Sequence, residues 1–123
     1  MAISCDVTQG VEEVKKAIAE ARRKHLGLPP TVLINCAGSG PGAAFEDTAI
    51  DDFDRLMRLN YLGAVNATRA VVGTMKGLNG GRIVFTSSQA GQLGLYGYTA
   101  YSAAKFALRG MDESSLGYLS LWV

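Results

Sequence analysis

The sequence predicts an α/β fold built on a parallel sheet with helical crossovers. Residues 31–37 form an apolar run rich in β-branched residues, as strands inside a parallel sheet do, and residues 82–88 read as a second buried strand. A long segment with helical spacing separates them. Strands that alternate with helices favour a doubly wound arrangement, in which helices cover the sheet. The 123 residues are enough for one domain with its own core.

The first elements predicted are a short strand and a helix. Residues 2–5 are apolar and read as a strand ending at Asp6. Thr8 is a suitable N-cap for the helix that follows. The apolar residues of this helix recur at helical spacing, at Val11, Val14, Ile18 and Ala21. Residues 27–30, Gly-Leu-Pro-Pro, end it because proline cannot continue a helix. We expect the next strand, residues 31–37, to be buried on both faces.

The second half of the chain repeats this alternation. Thr48 and Asp51 match a capping-box pattern and open a helix predicted over residues 49–76. A glycine-rich turn leads to the strand at 82–88, and a last helix begins near Thr99. The chain thus has about three strands, which is half of a doubly wound domain. We therefore expect one edge of the sheet to lack its neighbours.

The composition excludes several classes of protein. The chain is 48% hydrophobic and 19% charged, with a net charge of +1, so it is globular and lacks the basic surface of a nucleic-acid binder. No segment is long enough for a membrane span, and no signal peptide is evident, so the chain reads as soluble. Cys5 and Cys36 are too few for a metal site or a disulfide framework, and we expect two reduced, buried thiols and no metal.

Candidate chemistry lies in residues 87–105. Tyr101 and Lys105 are four residues apart and share a face if the segment is helical. A nearby ammonium group lowers the pKa of a phenol, and such a phenol can exchange a proton with an alcohol or ketone oxygen. Ser88, at a strand end, could donate a hydrogen bond to that same oxygen. Open α/β sheets bind their ligands at this end of the strands.

The Tyr-x-x-x-Lys pair is a weak signal when taken alone. Ser87 and Ser88 could simply cap the strand end, and a tyrosine at a helix start could serve packing. Context makes the catalytic interpretation stronger. An Asn-Cys-Ala-Gly string, residues 35–38, ends the preceding strand. Asn60 lies inside the long predicted helix, where asparagine is a mediocre helix former.

Taken together, these markers resemble the short-chain dehydrogenase/reductase family over roughly residues 3–110. The resemblance implies a partial Rossmann-type domain over residues 1–110 and a divergent tail over 111–123. It implies that Tyr101 donates the proton in ketone reduction, that Lys105 lowers the pKa of Tyr101 and holds the nicotinamide ribose, and that Ser88 orients the carbonyl. Asn60 would hold a water in a proton relay. Asp6 would touch the adenine ring, and three residues would line the cofactor: Asn35, Ala37 and Gly38.

A narrower resemblance comes from two strings, Asn-Tyr-Leu-Gly at residues 60–63 and Ser-Gln-Ala-Gly-Gln-Leu-Gly at 88–94. They are similar to the branch of the family that uses NADPH to reduce the 3-keto group of 3-ketosphinganine, giving sphinganine in sphingolipid biosynthesis. This branch acts at the cytosolic face of the endoplasmic reticulum. The substrate, cofactor and location are implied by resemblance alone. A homo-oligomer formed through the long helices is a further expectation.

The chain departs from the family pattern at both ends. The family begins with a strand and a glycine-rich turn that receives the pyrophosphate, and no such turn is present here. The loop at residues 38–42 imitates one, but its spacing differs and Pro41 removes a backbone donor. The first βαβ unit and the carboxyl-terminal strands of the family are lacking. We therefore expect a truncated fragment or isoform that is inactive alone.

Two alternatives remain open at this point. One is a short-chain reductase of another carbonyl or a steroid, because the chain lacks the loop that selects the substrate in the family. The other is a non-catalytic isoform that binds a partner, with a full-length reductase as one candidate.

Overall fold

A computed structural model of the chain describes residues 1–115 and the backbone of residues 120–122. Its sheet has three parallel strands in the order β1-β2-β3, which are Val32–Asn35, Arg82–Phe85 and Ser120–Trp122. The register pairs Val32 with Arg82 and Asn35 with Phe85 across β1 and β2. Parallel strands joined by helices confirm the predicted α/β fold class.

Four helices connect and flank these strands. They are α1 (Val11–Lys24), α2 (Ile50–Met57), α3 (Gly63–Gly77) and α4 (Thr99–Ser114). The helix predicted over 49–76 is therefore present, but a π-helical turn at Arg58–Leu62 separates α2 from α3. The last predicted helix begins at Thr99 as expected.

The core lies between one face of the sheet and the helices. Ile83 and Phe85 of β2 are buried against side chains of α3 and α4, of which the buried ones are Ala64, Val71, Met75 and Leu108. The opposite face of β1 differs from the prediction. Val32 and Ile34 are exposed there, so β1 is covered on one face and not on both. The apolar run correctly predicted the strand, but only packing decides how many faces are covered.

One predicted strand is wrong. Residues 2–5 form no strand, because a strand requires a paired neighbour and no described strand lies beside them. The third strand is instead β3, within the segment predicted to be a divergent tail. The sequence allows Leu119, Leu121 and Trp122 to be either a packing tail or exposed, and the side chains of all three lie outside the described residues.

The predicted helix caps are also wrong. Gly10, and not Thr8, is the N-cap of α1. The backbone N–H and hydroxyl of Thr8 both donate to the Asp6 carboxylate, at 2.9 and 2.8 Å, because Asp6 caps a separate 3-10 turn at Val7–Gln9. Ala49 is the N-cap of α2, and the Thr48 hydroxyl donates instead to the Ala44 carbonyl. Local hydrogen bonds of this kind compete with capping.

The cysteines are less buried than predicted. Cys36 is exposed directly after β1, and Cys5 is half-buried. Burial, together with Glu13 and Asp6, raises the pKa of the Cys5 thiol. Among the described residues, no group of three or more His, Cys, Asp or Glu side chains could hold a metal ion. None of the described helices is long and apolar enough to cross a membrane.

Candidate active site

Lys105 is the buried charge at the centre of the candidate site. It lies in the second turn of α4 and is only 5% exposed. Its Nζ donates to the Thr86 carbonyl oxygen at 2.6 Å, directly after the carboxyl end of β2. Desolvation lowers the pKa of the Lys105 ammonium below its ordinary value of 10.5, while Cys36 opposes this change. A cation is thus fixed at the sheet edge where ligands of α/β proteins bind.

Tyr101 lies one helical turn before Lys105 and contacts it through its ring. The Lys105 Nζ lies 5.6 Å from the ring centroid, within the range of a cation–π interaction. Tyr98 packs edge-on against the same ring, with centroids 6.2 Å apart. Tyr101 is half-buried. The structure therefore brings the predicted pair together on one face of α4.

Asn60 lies in the π-helical turn between α2 and α3 and is 2% exposed. Its Nδ2 donates to the carbonyl oxygens of Ser39 and Leu56 at 2.9 and 3.0 Å, and its Oδ1 accepts from the Ser39 N–H at 3.2 Å. These bonds tie the loop after β1 to the helix. π-helical turns inside α-helices are frequent at functional sites.

Gly38 lies between Asn60 and Lys105. A Cβ added at Gly38 would lie 2.6 Å from Asn60 Oδ1 and 3.9 Å from Lys105 Nζ, so only glycine allows the chain to pass here. Gly40 approaches the Tyr101 ring in the same way, because its added Cβ would lie 2.9 Å from Tyr101 Cδ2. The glycine-rich loop therefore covers the candidate catalytic side chains and does not form an open anion cradle.

Ser88 follows β2 and caps a 3-10 turn at Gln89–Gly91, since its Oγ accepts from the Ala90 N–H at 3.2 Å. The Ser88 hydroxyl proton is not used in this bond and can be donated elsewhere. Within residues 1–115, no hydrogen bond joins Ser88 to Tyr101. The neighbouring Ser87 Oγ is buried without a partner among the described residues, next to Gly91 and the Lys105 Cβ.

Asn35 and Ala37 line a pocket of about 310 Å³, whereas Gly38, Ser88 and Tyr101 do not. It is mainly apolar, and its polar lining comes from the ends of β1 and β2, the π-helical turn and α4, at Asn35, Cys36, Asn60, Thr86 and Lys105. Asn35 Nδ2 also donates to Thr68 Oγ1 at 3.5 Å. Asp6 does not line the pocket, although its neighbours Cys5 and Val7 do. Its carboxylate is exposed and bonded to Thr8 and Gln9.

Sequence reasoning missed three contributors to this site: Thr86, Ser39 and Gly40. Thr86 provides the carbonyl that holds Lys105, and Ser39 provides the backbone groups that hold Asn60. Backbone contributions carry no side-chain signature. Only the position of Thr86, immediately after the apolar run of β2, could have indicated it.

The pocket fits the nicotinamide-ribose part of a dinucleotide better than its phosphates. Lys105 and Asn35 offer side-chain donors to this pocket, next to the backbone at Ala37. Across the residues that the structure describes, no glycine-rich turn between a strand and a helix start offers a phosphate cradle. This end of the sheet is therefore compatible with the nicotinamide-ribose portion of a nicotinamide nucleotide.

Comparisons with known proteins agree with this geometry. A family model described as short chain dehydrogenase matches residues 1–116. The bovine (Bos taurus) protein named 3-ketodihydrosphingosine reductase is 54% identical over 114 residues, which are 93% of this chain and 34% of that protein. The chain thus spans about a third of the length of the curated relatives it matches.

Solved structures give the same result. NAD⁺-bound xylitol dehydrogenase superposes with a TM-score of 0.85 at 33% identity, covering 96% of this chain and 46% of that one. A gluconate 5-dehydrogenase from Burkholderia cenocepacia, solved with NADP and tartrate, superposes with a TM-score of 0.82 at 28% identity, covering 91% and 43%. With its parallel sheet and its match over residues 1–116, the chain belongs to the short-chain dehydrogenase family.

Proposed function

We propose that this chain carries the catalytic segment of an NADPH-dependent oxidoreductase that reduces 3-ketosphinganine to sphinganine. The observation that carries the chemistry is the buried Lys105 ammonium held 5.6 Å from the Tyr101 ring centroid. The substrate class rests on relatives named 3-ketodihydrosphingosine reductase or 3-dehydrosphinganine reductase, at 51–54% identity. The family resemblance supports action at the cytosolic face of the endoplasmic reticulum.

In this proposal Tyr101 donates the proton, and Lys105 stabilises the negative charge that remains on Tyr101. When bound, the nicotinamide supplies a hydride to the carbonyl carbon. The Tyr101 hydroxyl then gives its proton to the developing alkoxide oxygen, which leaves a phenolate. The nearby Lys105 charge stabilises that phenolate. The Ser88 hydroxyl donates a second hydrogen bond to the same oxygen and fixes its position.

The other predicted residues support this arrangement. Asn60 holds the loop at Ser39 through its amide, and we propose that it also orients a water toward Lys105. Asn35, Ala37 and Gly38 line the cofactor, and Asp6 contacts the adenine. The choice of NADPH over NADH is part of the proposal, since the gluconate 5-dehydrogenase structure holds NADP and the xylitol dehydrogenase structure holds NAD⁺.

We further propose that the chain is inactive alone and that its long helices form a homo-oligomer. The described residues offer donors for the nicotinamide ribose but no cradle for the pyrophosphate. Much of the binding free energy of the cofactor would therefore be absent from the isolated chain.

A chimera tests the proposal directly. Residues 1–115 replace the matching segment of the bovine relative, and sphinganine formation from 3-ketosphinganine is followed by mass spectrometry with NADPH. We expect turnover by the chimera, a loss of at least 10²-fold in the Tyr101→Phe chimera, and no loss in Tyr96→Phe. Tyr96 is 93% exposed in the loop that precedes α4 and is the matched control.

The outcomes separate the claims. A folded, NADPH-binding chimera without turnover would contradict the function assigned to this segment. Full activity in Tyr101→Phe would contradict the role of Tyr101 only. Turnover by the isolated 123-residue chain would contradict the proposal that it is inactive alone.

A further inference from the structure

Two loops lie side by side at the amino ends of the strands, opposite to the candidate active site. Residues 25–31 precede β1 and residues 78–81 precede β2. The Arg82 N–H donates to the Thr31 carbonyl at 2.9 Å, joining the loops. Leu28, Leu78 and Arg82 line one shallow groove between them. β1 and β2 have four residues each, so this end lies about 13 Å from the carboxyl end at ~3.3 Å per residue.

These loops expose large apolar side chains. Leu26 is 83% exposed, Leu28 62% and Leu78 49%. Leu26 also has a φ of +55°, in the left-handed region that is uncommon for residues other than glycine. Leu26 is thus a solvent-exposed leucine in a left-handed conformation that asparagine or aspartate adopts more readily. Exposed apolar residues grouped in this way mark an interaction surface.

Cations surround the leucines. Arg22, Arg23 and Lys24 end α1 beside the first loop, and Arg82 begins β2 beside the second. The Arg22 guanidinium donates to the Gly27 carbonyl, which fastens the leucine loop to the helix. The sequence has no acidic residue between Glu20 and Glu46, and none between Asp54 and Asp112. Glu20, paired with Lys24, is therefore the nearest acidic residue in sequence to the first loop.

We propose that this surface, which we call the amino-end surface (Leu26, Leu28 and Leu78 with Arg22, Arg23, Lys24 and Arg82), docks on an anionic lipid bilayer. The leucines enter the boundary between headgroups and acyl chains, and the cations contact lipid phosphates and carboxylates. A bilayer fits better than an apolar protein surface, which would bury the guanidinium groups of Arg23 and Arg82 without a polar partner. The proposal is independent of the reductase function, because the two sites lie at opposite ends of the sheet.

Vesicle co-sedimentation of the intact 123-residue chain tests this. The vesicles contain phosphatidylcholine alone or phosphatidylcholine mixed with phosphatidylserine. We expect binding to the mixed vesicles only, weakening as salt is raised. Each arginine near such a surface contributes about fivefold, so R22Q/R23Q together should weaken partitioning by roughly 25-fold. Leu26→Asn, which suits the left-handed conformation, should weaken it by about tenfold through lost apolar burial.

Ile50→Ser provides the matched control, because Ile50 is 81% exposed but lies at the start of α2. It should bind as the unchanged chain does, with the same circular dichroism spectrum. Equal binding to both vesicle types, or unchanged binding of R22Q/R23Q and Leu26→Asn, would overturn the proposal. So would self-association that Leu26→Asn abolishes in the absence of vesicle binding, because the surface would then join two protein molecules.

Discussion

The Lys105 Nζ lies 2.6 Å from the carbonyl oxygen of Thr86, the residue that follows β2. This hydrogen bond holds the only lysine of α4. This contact crosses from helix to sheet and fixes the ammonium beneath Tyr101. Its burial has a consequence for stability that can be measured.

Burial of Lys105 makes stability depend on alkaline pH. Desolvation lowers the pKa of Lys105 in the folded state below 10.5. Between that lowered value and 10.5 the unfolded chain binds more protons than the folded chain, so the free energy of unfolding rises with pH. We expect the stability of the unchanged chain, minus that of Lys105→Met, to increase between pH 7 and about pH 10.

Urea unfolding at several pH values measures this difference. Subtracting the variant removes the contribution of the other lysines and tyrosines. A difference that stays constant or falls as pH rises would contradict a lowered pKa at Lys105.

Replacing Asn60 by alanine should be costly. The change removes three hydrogen bonds and leaves the Ser39 N–H and carbonyl without their partner. A hydrogen bond contributes about 0.5–1.5 kcal/mol net, so the three bonds together predict a loss of about 2–4 kcal/mol in the free energy of unfolding. Asn66→Ala is the control: the Asn66 side chain donates one hydrogen bond, to the Val7 carbonyl, and its loss should cost about 1 kcal/mol. Equal losses would show that Asn60 does not organise the loop.

Replacing Asp112 should stabilise the protein. Asp112 is 1% exposed in the last turns of α4, and neither carboxylate oxygen has a hydrogen-bond partner in the described part of the chain. Burial of an unpartnered polar group costs about 1–3 kcal/mol, and alanine is the best helix former. Asp112→Ala should therefore raise the free energy of unfolding by roughly 1–3 kcal/mol.

The neighbouring Glu113→Ala serves as the comparison for Asp112. Glu113 is exposed and pairs with Arg109, so its removal should change stability by less than about 0.5 kcal/mol. A destabilised Asp112→Ala would show that the carboxylate has a favourable interaction.

Gly40→Ala should displace the Tyr101 ring. The added Cβ would lie 2.9 Å from Cδ2 of that ring, which is too close without movement. We expect shifted aromatic resonances of Tyr101 in NMR spectra and reduced turnover in the bovine chimera, with little change in the Michaelis constant for NADPH. Gly73→Ala is the control, because nothing lies within 4 Å of its added Cβ. Unshifted Tyr101 resonances in Gly40→Ala would mean that the loop does not position the ring.

The sequence predicted the elements whose signals are local. The apolar runs identified β1 and β2, and helical spacing placed Tyr101 and Lys105 on one face of α4. The strand at residues 2–5 and the caps at Thr8 and Thr48 were wrong because pairing partners and competing hydrogen bonds decide them. The π-helical turn at Asn60 also lies beyond local signals, since its geometry depends on the contact with Ser39.

The sequence by itself therefore determined the α/β class, the order of the helices and two of the strands, and the placement of Tyr101 and Lys105 on one face of α4. Only the tertiary structure decided that Lys105 is held by the Thr86 carbonyl, that Asn60 binds the loop at Ser39, and that one face of β1 is exposed. The physical reason is that spacing along a helix or strand is encoded locally. Burial and backbone hydrogen bonds, by contrast, depend on which segments meet in space.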